Sequence, residues 1–293
     1  MQSYLDRIAV DGTLSTSTVS AYRRDLESYL NFCEAAGVRT ADRVAPDTAS
    51  SYLRNLHESG RSAATIARNL CSLRRFHDRL LNAGTCPLDP TIGLKQPHVT
   101  RQKPDPLTVD EAQRLVDTVE GQDPLTMRDR AILEILYAAG LRVSELIALN
   151  SADLLLEHAL LRVHGRGARE RMVPLGRAAV AAATRYARFG RPSLLQTGDG
   201  EDVPFFSNAK GRPLTRMGVW KILRSAAVAA GIDRPVNPQT LRHTFAAHLL
   251  DGGFDLRDVQ HLLGHANIST TSIYTRADDQ RLKTLHKTFH PRA

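Results

Sequence analysis

The chain has 293 residues, a formal net charge of +8 at neutral pH and a sequence pI of about 9.7. This length exceeds one compact core of usual size and predicts two domains. No apolar run of about 18 residues occurs, and the first residues lack the basic and then apolar order of a secretory signal. We therefore expect a cytoplasmic protein that does not enter a membrane. The basic charge favours a polyanionic partner, most simply nucleic acid.

Cysteine usage argues against disulfide bonds and bound metal. The three cysteines are Cys33, Cys71 and Cys86, an odd number with wide spacing that fits neither a disulfide framework nor a zinc site. His261 and His265 are four residues apart, but Gly264 lies between them and no acidic third ligand is near. We expect reduced thiols, no metal and no cofactor.

The first hundred residues are predicted to be helical. Apolar residues recur at three- and four-residue steps over 19–33, and Gly37 follows as a stop signal. A shorter helix is predicted over 47–59 and a longer one over 62–82. The pattern indicates a small helical domain.

The longest of these predicted helices carries a line of arginines opposite its apolar face, formed by Arg61, Arg68, Arg75 and Arg79. At about 100° per residue the four side chains fall on one narrow stripe. The helix sequence places no compensating acid in that stripe. Two interpretations stay open: a solvated helix face, or a surface that follows DNA phosphates.

A proline-rich stretch separates the two predicted domains. Residues 87–106 contain five prolines and almost no helical periodicity. Proline fixes φ, removes a backbone donor and favours extended structure in the residue before it. We therefore predict a first domain over 1–98, a linker over 99–105 and a second domain over 106–293.

The second domain is predicted to be mostly helical with a small sheet. Thr108 and Glu111 have the spacing of a capping box, and Asn237 followed by Pro238 has the pattern of a helix start. Alternation around two glycines predicts a β-hairpin over 160–175. Further helices are predicted over 126–139, 177–189, 215–230 and 278–289.

Four motifs in the second domain are informative as a set. They are GLRVSEL over 140–146, VHGRGARER over 163–171, NPQTLRHTFAAHLL over 237–250 and HLLGHANISTTSIYT over 261–275. Each one alone has an ordinary explanation as a turn, a cap or a core segment. Together and in this order they closely resemble the tyrosine recombinase (phage integrase) family, and within it the Xer recombinases. The resemblance runs from about residue 17 to the C-terminus and includes YRRDL in the first domain.

The resemblance implies a fold and a reaction. The expected fold is mainly α, with a helical SAM-like core-binding domain and an α+β catalytic domain that together clamp duplex DNA. The expected reaction is site-specific DNA recombination through a 3′-phosphotyrosyl intermediate. Carried over by motif, Arg142 and Arg242 are the catalytic arginines, His265 is the histidine that follows them, and Tyr274 is the nucleophile. Two guanidinium forks suit this chemistry because they hold non-bridging phosphate oxygens and stay charged.

Two positions depart from the family pattern. The turn that usually contains a lysine general acid has Arg166, and the position three residues before the second arginine, usually histidine, has Gln239. Arginine does not readily release a proton, and glutamine hydrogen-bonds without transferring one. We expect slow proton transfer to the leaving oxygen. His164, beside the turn, is a second candidate for the proton donor.

The resemblance also implies partners and a cellular role. It implies duplex DNA with two half-sites, a homotetramer or a heterotetramer with a sister recombinase, and a septal DNA translocase, in chromosome dimer resolution at cell division. The segment 278–289 would dock on a neighbouring subunit or cap its own domain. The sequence leaves no room for an extra arm-binding module, which argues against the large phage-integrase architecture. A small mobile-element integrase, a topoisomerase-like relaxing enzyme and a DNA-binding relic without turnover remain alternatives.

Overall fold

The structure is a computed structural model that describes residues 4–5, 14, 16–99, 105–165, 170–195, 204–264 and 290–292. The chain divides into two compact units, residues 1–102 and 103–293. No helix among the described residues is long and apolar enough to cross a membrane. Each unit has its own hydrophobic core.

The described part of the first unit contains helices α1 (Thr16–Ala35), α2 (Pro46–Glu58) and α3 (Ala63–Asn82), with a 3₁₀ turn at Ala41–Arg43. The prediction of these helices is confirmed to within a few residues at their ends. Local signals explain the boundaries: the Ser62 hydroxyl accepts the Thr65 N–H at the start of α3, and Gly37 has a φ of +78° after α1.

The core of the first unit combines aromatic rings with paired polar groups. Tyr29 and Tyr52 are fully buried, with ring centroids 5.1 Å apart. Their hydroxyls reach partners on α3: Tyr29 lies 3.1 Å from Nε2 of His77, and Tyr52 donates to Oδ1 of Asn69 over 2.9 Å. Burial lowers the pKa of His77, so this core holds a neutral imidazole. These pairs fix the register of α1 and α2 against α3.

The described elements of the second unit are helices with one small sheet. In chain order they are α4 (Val109–Asp117), α5 (Pro124–Ala139), α6 (Val143–Leu146), β1 (Leu154–Leu155), β2 (Leu160–His164), β3 (Glu170–Pro174), α7 (Arg177–Arg185), α8 (Arg191–Leu194), α9 (Arg216–Ala229), α10 (Pro238–Asp251) and α11 (Leu256–Leu263).

The sheet is antiparallel, with the order β1-β2-β3. Leu154 pairs with Leu161 across β1 and β2, and Val163 pairs with Arg171 across β2 and β3. The predicted hairpin is confirmed, whereas β1 was not predicted. A two-residue strand is too short to show an alternating pattern in the sequence.

The second core is organised around α5. The last nine residues of this helix, 131–139, are each at most 1% exposed. An apolar stripe of ordinary width would leave one side in water, but α5 is covered on all sides by neighbouring elements. The helix starts with Asp123 as its N-cap and ends at Gly140, which has a φ of +55°. Because α5 is fixed on every side, its end is a stable platform.

The predicted helix over 177–189 differs in detail from the structure. α7 leads into a π-helical turn over Tyr186–Gly190 and then into α8. Two fully buried rings, Tyr186 and Phe206, are stacked there with centroids 5.6 Å apart. The wider turn is compatible with this packing, and no local sequence signal distinguishes it from an α-turn.

The start of the second unit is hydrogen-bonded to α10. The Leu107 N–H donates to Oγ1 of Thr244 over 2.9 Å, and Nε2 of His248 donates to the Leu107 carbonyl over 2.9 Å. Nδ1 of His248 then accepts from the Tyr137 hydroxyl at 2.8 Å. The predicted capping box of Thr108 is confirmed by reciprocal bonds with Glu111. This segment is therefore held against the helix that carries Arg242.

The described C-terminal residues pack on α5. Nε2 of His290 lies 3.2 Å from the Tyr137 carbonyl, and Nε of Arg292 donates to the Glu134 carboxylate over 3.0 Å. Glu134 is 1% exposed, so this charge pair is buried on one side. The predicted helix over 278–289 lies outside the described residues.

Candidate active site

The first predicted catalytic arginine follows directly from the end of α5. Gly140 turns the chain in a left-handed conformation, and Arg142 becomes the residue that starts α6. Its backbone N–H donates to Oε2 of Glu145 and its Nη1 donates to Oε1 of the same side chain, both over 2.8 Å. The Arg142 side chain is 42% exposed. One face of its guanidinium is therefore held and the other remains accessible.

The second predicted arginine is buried in the first turns of α10. Asn237 caps this helix by accepting the N–H groups of Gln239 and Thr240. Arg242 is 3% exposed and uses its fork on backbone oxygens, the Gly140 carbonyl at 2.7 Å and the Leu263 carbonyl at 2.6 Å. Arg242 thus joins the end of α5 to the end of α11.

Two further charged residues, neither predicted from the sequence, complete the group. Glu145 is 7% exposed and receives both terminal nitrogens of Arg171, at 3.0 Å and 2.9 Å. Nη1 of Arg242 lies 3.9 Å from the same carboxylate. We call Arg142, Glu145, Arg171 and Arg242 the arginine–glutamate cluster. Signals for the two missed residues exist: the three-residue spacing from Arg142 to Glu145, and an arginine at an inward-facing position of β3.

The end of α11 supplies three consecutive carbonyls to this cluster. Leu262 accepts from Nε of Arg171 at 2.6 Å, Leu263 accepts from Arg242, and Gly264 accepts from Nη2 of Arg142 at 3.4 Å. The last carbonyls of a helix have no partner within it and carry partial negative charge, which favours cations there. Hydrogen bonds to Arg142 and Arg242 therefore hold the backbone immediately before His265 in place.

The cluster carries surplus positive charge. Burial raises the pKa of Glu145, but the hydrogen bonds and charge of Arg171 and the donors of Arg142 outweigh it, so the pKa of Glu145 is lowered. Burial and the Arg142 charge lower the pKa of Arg242 to about 10, and Arg242 remains protonated near neutral pH. Three guanidinium groups face one carboxylate. An anion with oxygen acceptors would therefore be stabilised beside the cluster.

Gln239 lies on α10 one turn before Arg242 and is exposed. Its Nε2 lies 2.8 Å from Nε2 of His243, and its backbone N–H donates to the Asn237 side chain. Burial and the Arg242 charge lower the pKa of His243, so this imidazole is a neutral hydrogen-bond partner. The structure thus places Gln239 on the arginine-bearing helix with its amide directed at His243.

Three predicted site residues, Arg166, His265 and Tyr274, lie outside the described residues. His164, the second candidate for the proton donor, is described at the end of β2. Its Nε2 lies 2.8 Å from Oδ1 of Asp153 and its Nδ1 lies 3.1 Å from Oε1 of Glu170.

The four arginines of the predicted stripe are exposed; Arg68, Arg75 and Arg79 lie on α3, and Arg61 lies just before it. The expectation that the stripe meets no compensating acid is wrong at Arg68. Its Nε and Nη2 donate to the two carboxylate oxygens of Asp25 on α1, at 3.0 Å and 2.7 Å, and Asp25 is 4% exposed. The acid comes from a neighbouring helix, so the α3 sequence alone did not reveal it.

A second basic surface, which was not predicted, lies on α9. Its exposed side combines cations with large apolar groups: Arg216, Met217, Trp220, Lys221 and Arg224. The guanidinium of Arg224 lies 5.4 Å from the centroid of the Trp220 ring. The helix contains no acidic residue. Cations interleaved with an exposed aromatic ring are typical of nucleic-acid surfaces.

Comparison with known proteins places both units in one class. Residues 106–281 match the model described as the phage integrase family, and residues 1–84 match its N-terminal SAM-like domain. Solved structures with the same fold include a lambda integrase dimer bound to a core site, 17% identical with a TM-score of 0.68 over 94% of this chain and 98% of that one. Another is the XerH site-specific recombinase bound to its difH substrate, 24% identical with a TM-score of 0.65 over 91% of this chain and 78% of that one.

Relatives with curated names are more similar in sequence. The chain is 41% identical to the tyrosine recombinase XerD of Halalkalibacterium halodurans over all of this chain and 98% of the relative. It is 39% identical to XerD of Chlorobaculum tepidum over all of this chain and 96% of that relative. The chain therefore belongs to the phage integrase family and is a tyrosine recombinase of the Xer type. The resemblance, the fold class and the assignment as a DNA strand-transferring enzyme are confirmed.

Proposed function

We propose that the chain is a site-specific recombinase that cleaves and rejoins duplex DNA through a 3′-phosphotyrosyl intermediate. The observation that carries this proposal is the arginine–glutamate cluster, in which Arg142 and Arg242 are fixed beside one another with surplus positive charge. Relatives that match all of this chain are recombinases, which does not favour a DNA-binding relic.

The cluster fits the binding of a scissile phosphate. Arg142 keeps guanidinium N–H groups that are not used on Glu145 or Gly264, and its side chain is partly exposed. Arg242 contributes a fixed buried charge behind it. In the attack of Tyr274 on phosphorus, negative charge grows on the non-bridging oxygens as the 5′-oxygen departs. Donors already oriented toward that charge are worth about 3–4 kcal/mol each, because they need no reorganisation during the reaction.

The energy of the cleaved phosphodiester bond is retained in the phosphotyrosyl ester. The Tyr274 oxygen forms an ester with the 3′-phosphate and the 5′-hydroxyl is released, so a second strand can reverse the step without a nucleotide cofactor. A tyrosine with an ordinary pKa of about 10 is a weak nucleophile, and binding in line with the phosphate compensates for this. His265 would add a further donor to the phosphate.

Proton transfer to the leaving 5′-oxygen is the step in which this chain departs from its family. Arg166 can stabilise charge but does not readily donate a proton, and Gln239 is occupied with His243. A general acid typically contributes about 10²–10⁴-fold. We therefore expect Arg166→Lys to raise the cleavage rate, while Gln239→His tests the second departure. His164→Gln should slow cleavage if that imidazole supplies the proton.

We place the two basic surfaces on DNA. Cations that contact phosphate supply non-specific affinity, and those that enter a groove can read bases. Arg75 and Arg79 on α3, with Arg61 just before the helix, remain available to contact the phosphate backbone, whereas Arg68 is paired with Asp25. On α9, Trp220 and Arg224 form an exposed, acid-free surface suited to a groove. Arg224→Ala should relax discrimination between target sequences, while Arg79→Ala should weaken binding to all sequences equally.

The assembly follows from the reaction. Exchange of strands needs two half-sites on each duplex, and therefore four protomers, either identical or shared with a sister recombinase. The solved relatives include recombinases in complex with DNA, which supports duplex DNA as the substrate class. We propose chromosome dimer resolution at cell division in the cytoplasm, with a septal DNA translocase as a further partner. A small mobile-element integrase would share the chemistry but move its own DNA.

A nicked suicide substrate tests the proposal. When a short strand beside the cleavage site dissociates, the reverse reaction is prevented and the covalent protein–DNA product accumulates. The wild-type chain should form this adduct, and Tyr274→Phe should not. Tight DNA binding without an adduct would establish the relic instead. Relaxation of supercoiled DNA without recombinant product would indicate a topoisomerase-like enzyme.

A further inference from the structure

Arg171 is a buried charge that the proposed reaction does not use. It occupies an inward-facing position of β3, between Glu170 and Met172 on the outward side, and is 7% exposed. An unpaired charge in such a place is strongly unfavourable, and arginine cannot discharge itself by losing a proton. Hydrogen-bond and ion-pair partners must therefore offset the cost of burying this side chain.

Those partners belong to the site. The Arg171 fork spans both oxygens of Glu145, and its Nε donates to the Leu262 carbonyl at 2.6 Å. The same carboxylate receives Arg142 twice, from its backbone N–H and from Nη1. Glu145 is therefore shared between a buried arginine and a partly exposed one. The geometry of Arg142 depends on how Glu145 is held.

Packing leaves Arg171 little freedom. A Cβ atom built on Gly264 would lie 3.0 Å from Nη1 and 3.3 Å from Cδ of Arg171. Gly264 has a φ of +64°, so its backbone also favours glycine. The guanidinium is enclosed between the end of α11 and the Glu145 carboxylate. The position of β3, which carries Arg171, therefore affects both the end of α11 and the Glu145 carboxylate.

We propose that Arg171 is a positioning residue for Arg142, acting through Glu145. By satisfying both carboxylate oxygens, Arg171 prevents Glu145 from neutralising Arg142, whose charge remains for the scissile phosphate. Without Arg171, the carboxylate would pair fully with Arg142 or move to Arg242, whose Nη1 is 3.9 Å away. The surplus charge of the cluster would fall by one unit. This inference rests on the proposed function of Arg142 at the phosphate.

A neutral phosphate analogue separates this role from a merely structural one. Replacing a non-bridging oxygen of the scissile phosphate by methyl removes the negative charge that Arg142 is proposed to stabilise. Arg142→Ala should slow adduct formation on the phosphate substrate by about 10²–10³-fold and have little effect on the methylphosphonate substrate. Arg171→Met should show the same selective loss, about hundredfold on phosphate, because a displaced catalytic group loses its alignment.

Arg128→Met is the matched control. Arg128 is also a buried arginine, paired with Asp129 at 2.6 Å and bonded to the Ser207 carbonyl at 3.0 Å. It lies on α5 about 18 Å before Gly140, measured along the helix axis. Its loss should destabilise the second unit without changing the ratio of the rates on phosphate and methylphosphonate. Arg171→Lys retains the charge but not the fork, and should recover part of the phosphate rate.

Each outcome decides a different claim. A selective loss on phosphate in Arg171→Met, with an unchanged ratio in Arg128→Met, supports the inference. Equal losses on both substrates, or no loss on either, contradict it. If Arg171→Met does not fold, Arg171→Lys is judged by the same ratio. Wild-type protein that forms no adduct at all contradicts the proposed function, and the inference falls with it.

Discussion

Gly140 offers the sharpest test of how the fold supports the cluster. It ends α5 with a φ of +55°, and its carbonyl accepts Nη1 of Arg242 at 2.7 Å. A Cβ atom at this position would lie 2.3 Å from Cδ1 of Phe245 and 2.9 Å from Cε1. Phe245 is fully buried on α10 and cannot move into solvent. Gly140→Ala therefore disturbs the joint between α5 and α10 directly.

The expected destabilisation has two parts. A left-handed backbone costs an L-residue about 1–2 kcal/mol. Overpacking a closed core costs typically about 1–3 kcal/mol, so Gly140→Ala should lower the free energy of unfolding by about 2–5 kcal/mol. Gly231→Ala is the matched control, because Gly231 has a φ of +66° but no atom within 4 Å of its added Cβ. That variant should lose only the backbone part, about 1–2 kcal/mol.

Tryptophan fluorescence during urea unfolding provides the assay. Trp220 is the single tryptophan of the chain and lies in the second unit, so its signal reports on that unit. Phe245→Leu combined with Gly140→Ala should recover part of the loss, because the branched side chain is smaller than the ring. If Gly140→Ala destabilises the unit no more than Gly231→Ala does, the proposed contact with Phe245 is refuted.

Four further predictions concern DNA binding, stability and pH. Arg75→Ala should reduce the slope of log affinity against log salt by about 0.9, as expected for one phosphate contact. Arg68→Ala should chiefly lower the stability of the first unit, because Asp25 is left buried and unpaired; urea unfolding followed by circular dichroism measures this loss, since Trp220 lies in the second unit. The pKa of Glu145 is lowered below its ordinary 4.5. The stabilisation that its charged carboxylate provides is therefore present above pH 4.5 and is lost as pH falls through the lowered pKa of the folded state. The difference in urea midpoint between the wild type and Glu145→Gln should shrink as the solution becomes acidic. Burial lowers the pKa of His248 below 6.5, so stability should fall as pH drops below 6.5, and the urea midpoint of His248→Gln should depend less on pH in that range.

A different result would contradict each of these predictions. An Arg75→Ala protein with an unchanged salt slope would remove α3 from the DNA surface at that point. A constant difference between wild type and Glu145→Gln across acidic pH would show that the carboxylate is not held in its charged form. A His248→Gln protein with the same pH dependence as wild type would mean that another group titrates.

Most of the fold could be predicted because local sequence signals determine where its helices begin and end. The Thr108 capping box, the Asn237–Pro238 helix start and the left-handed Gly140 each act within a few residues. Strand β1 and the π-turn over Tyr186–Gly190 carry no such signal, because tertiary packing decides them. Their prediction would have required knowing which rings and strands meet.

The candidate site could be predicted only in part. Arg142 and Arg242 were found through their motifs, and the structure brings them together through the ends of α5 and α11. Glu145 and Arg171 were missed because the three-residue spacing and the inward-facing position indicate only a cap and a buried arginine, whereas their role arises from the contact between α6 and β3. The acceptors on α11 are backbone carbonyls, such as that of Leu263, which carry no residue-type signal.

The most direct measurement of the central claim is the identity of the residue attached to DNA. The covalent product from a nicked substrate would be digested with trypsin and nuclease, and the modified peptide located by mass spectrometry. We predict a nucleotide remnant on Tyr274, within peptide 258–276, and a lower yield of this modified peptide when Arg142 or Arg242 is replaced by alanine. A remnant on any other residue, or a yield indifferent to both arginines, would contradict the claim.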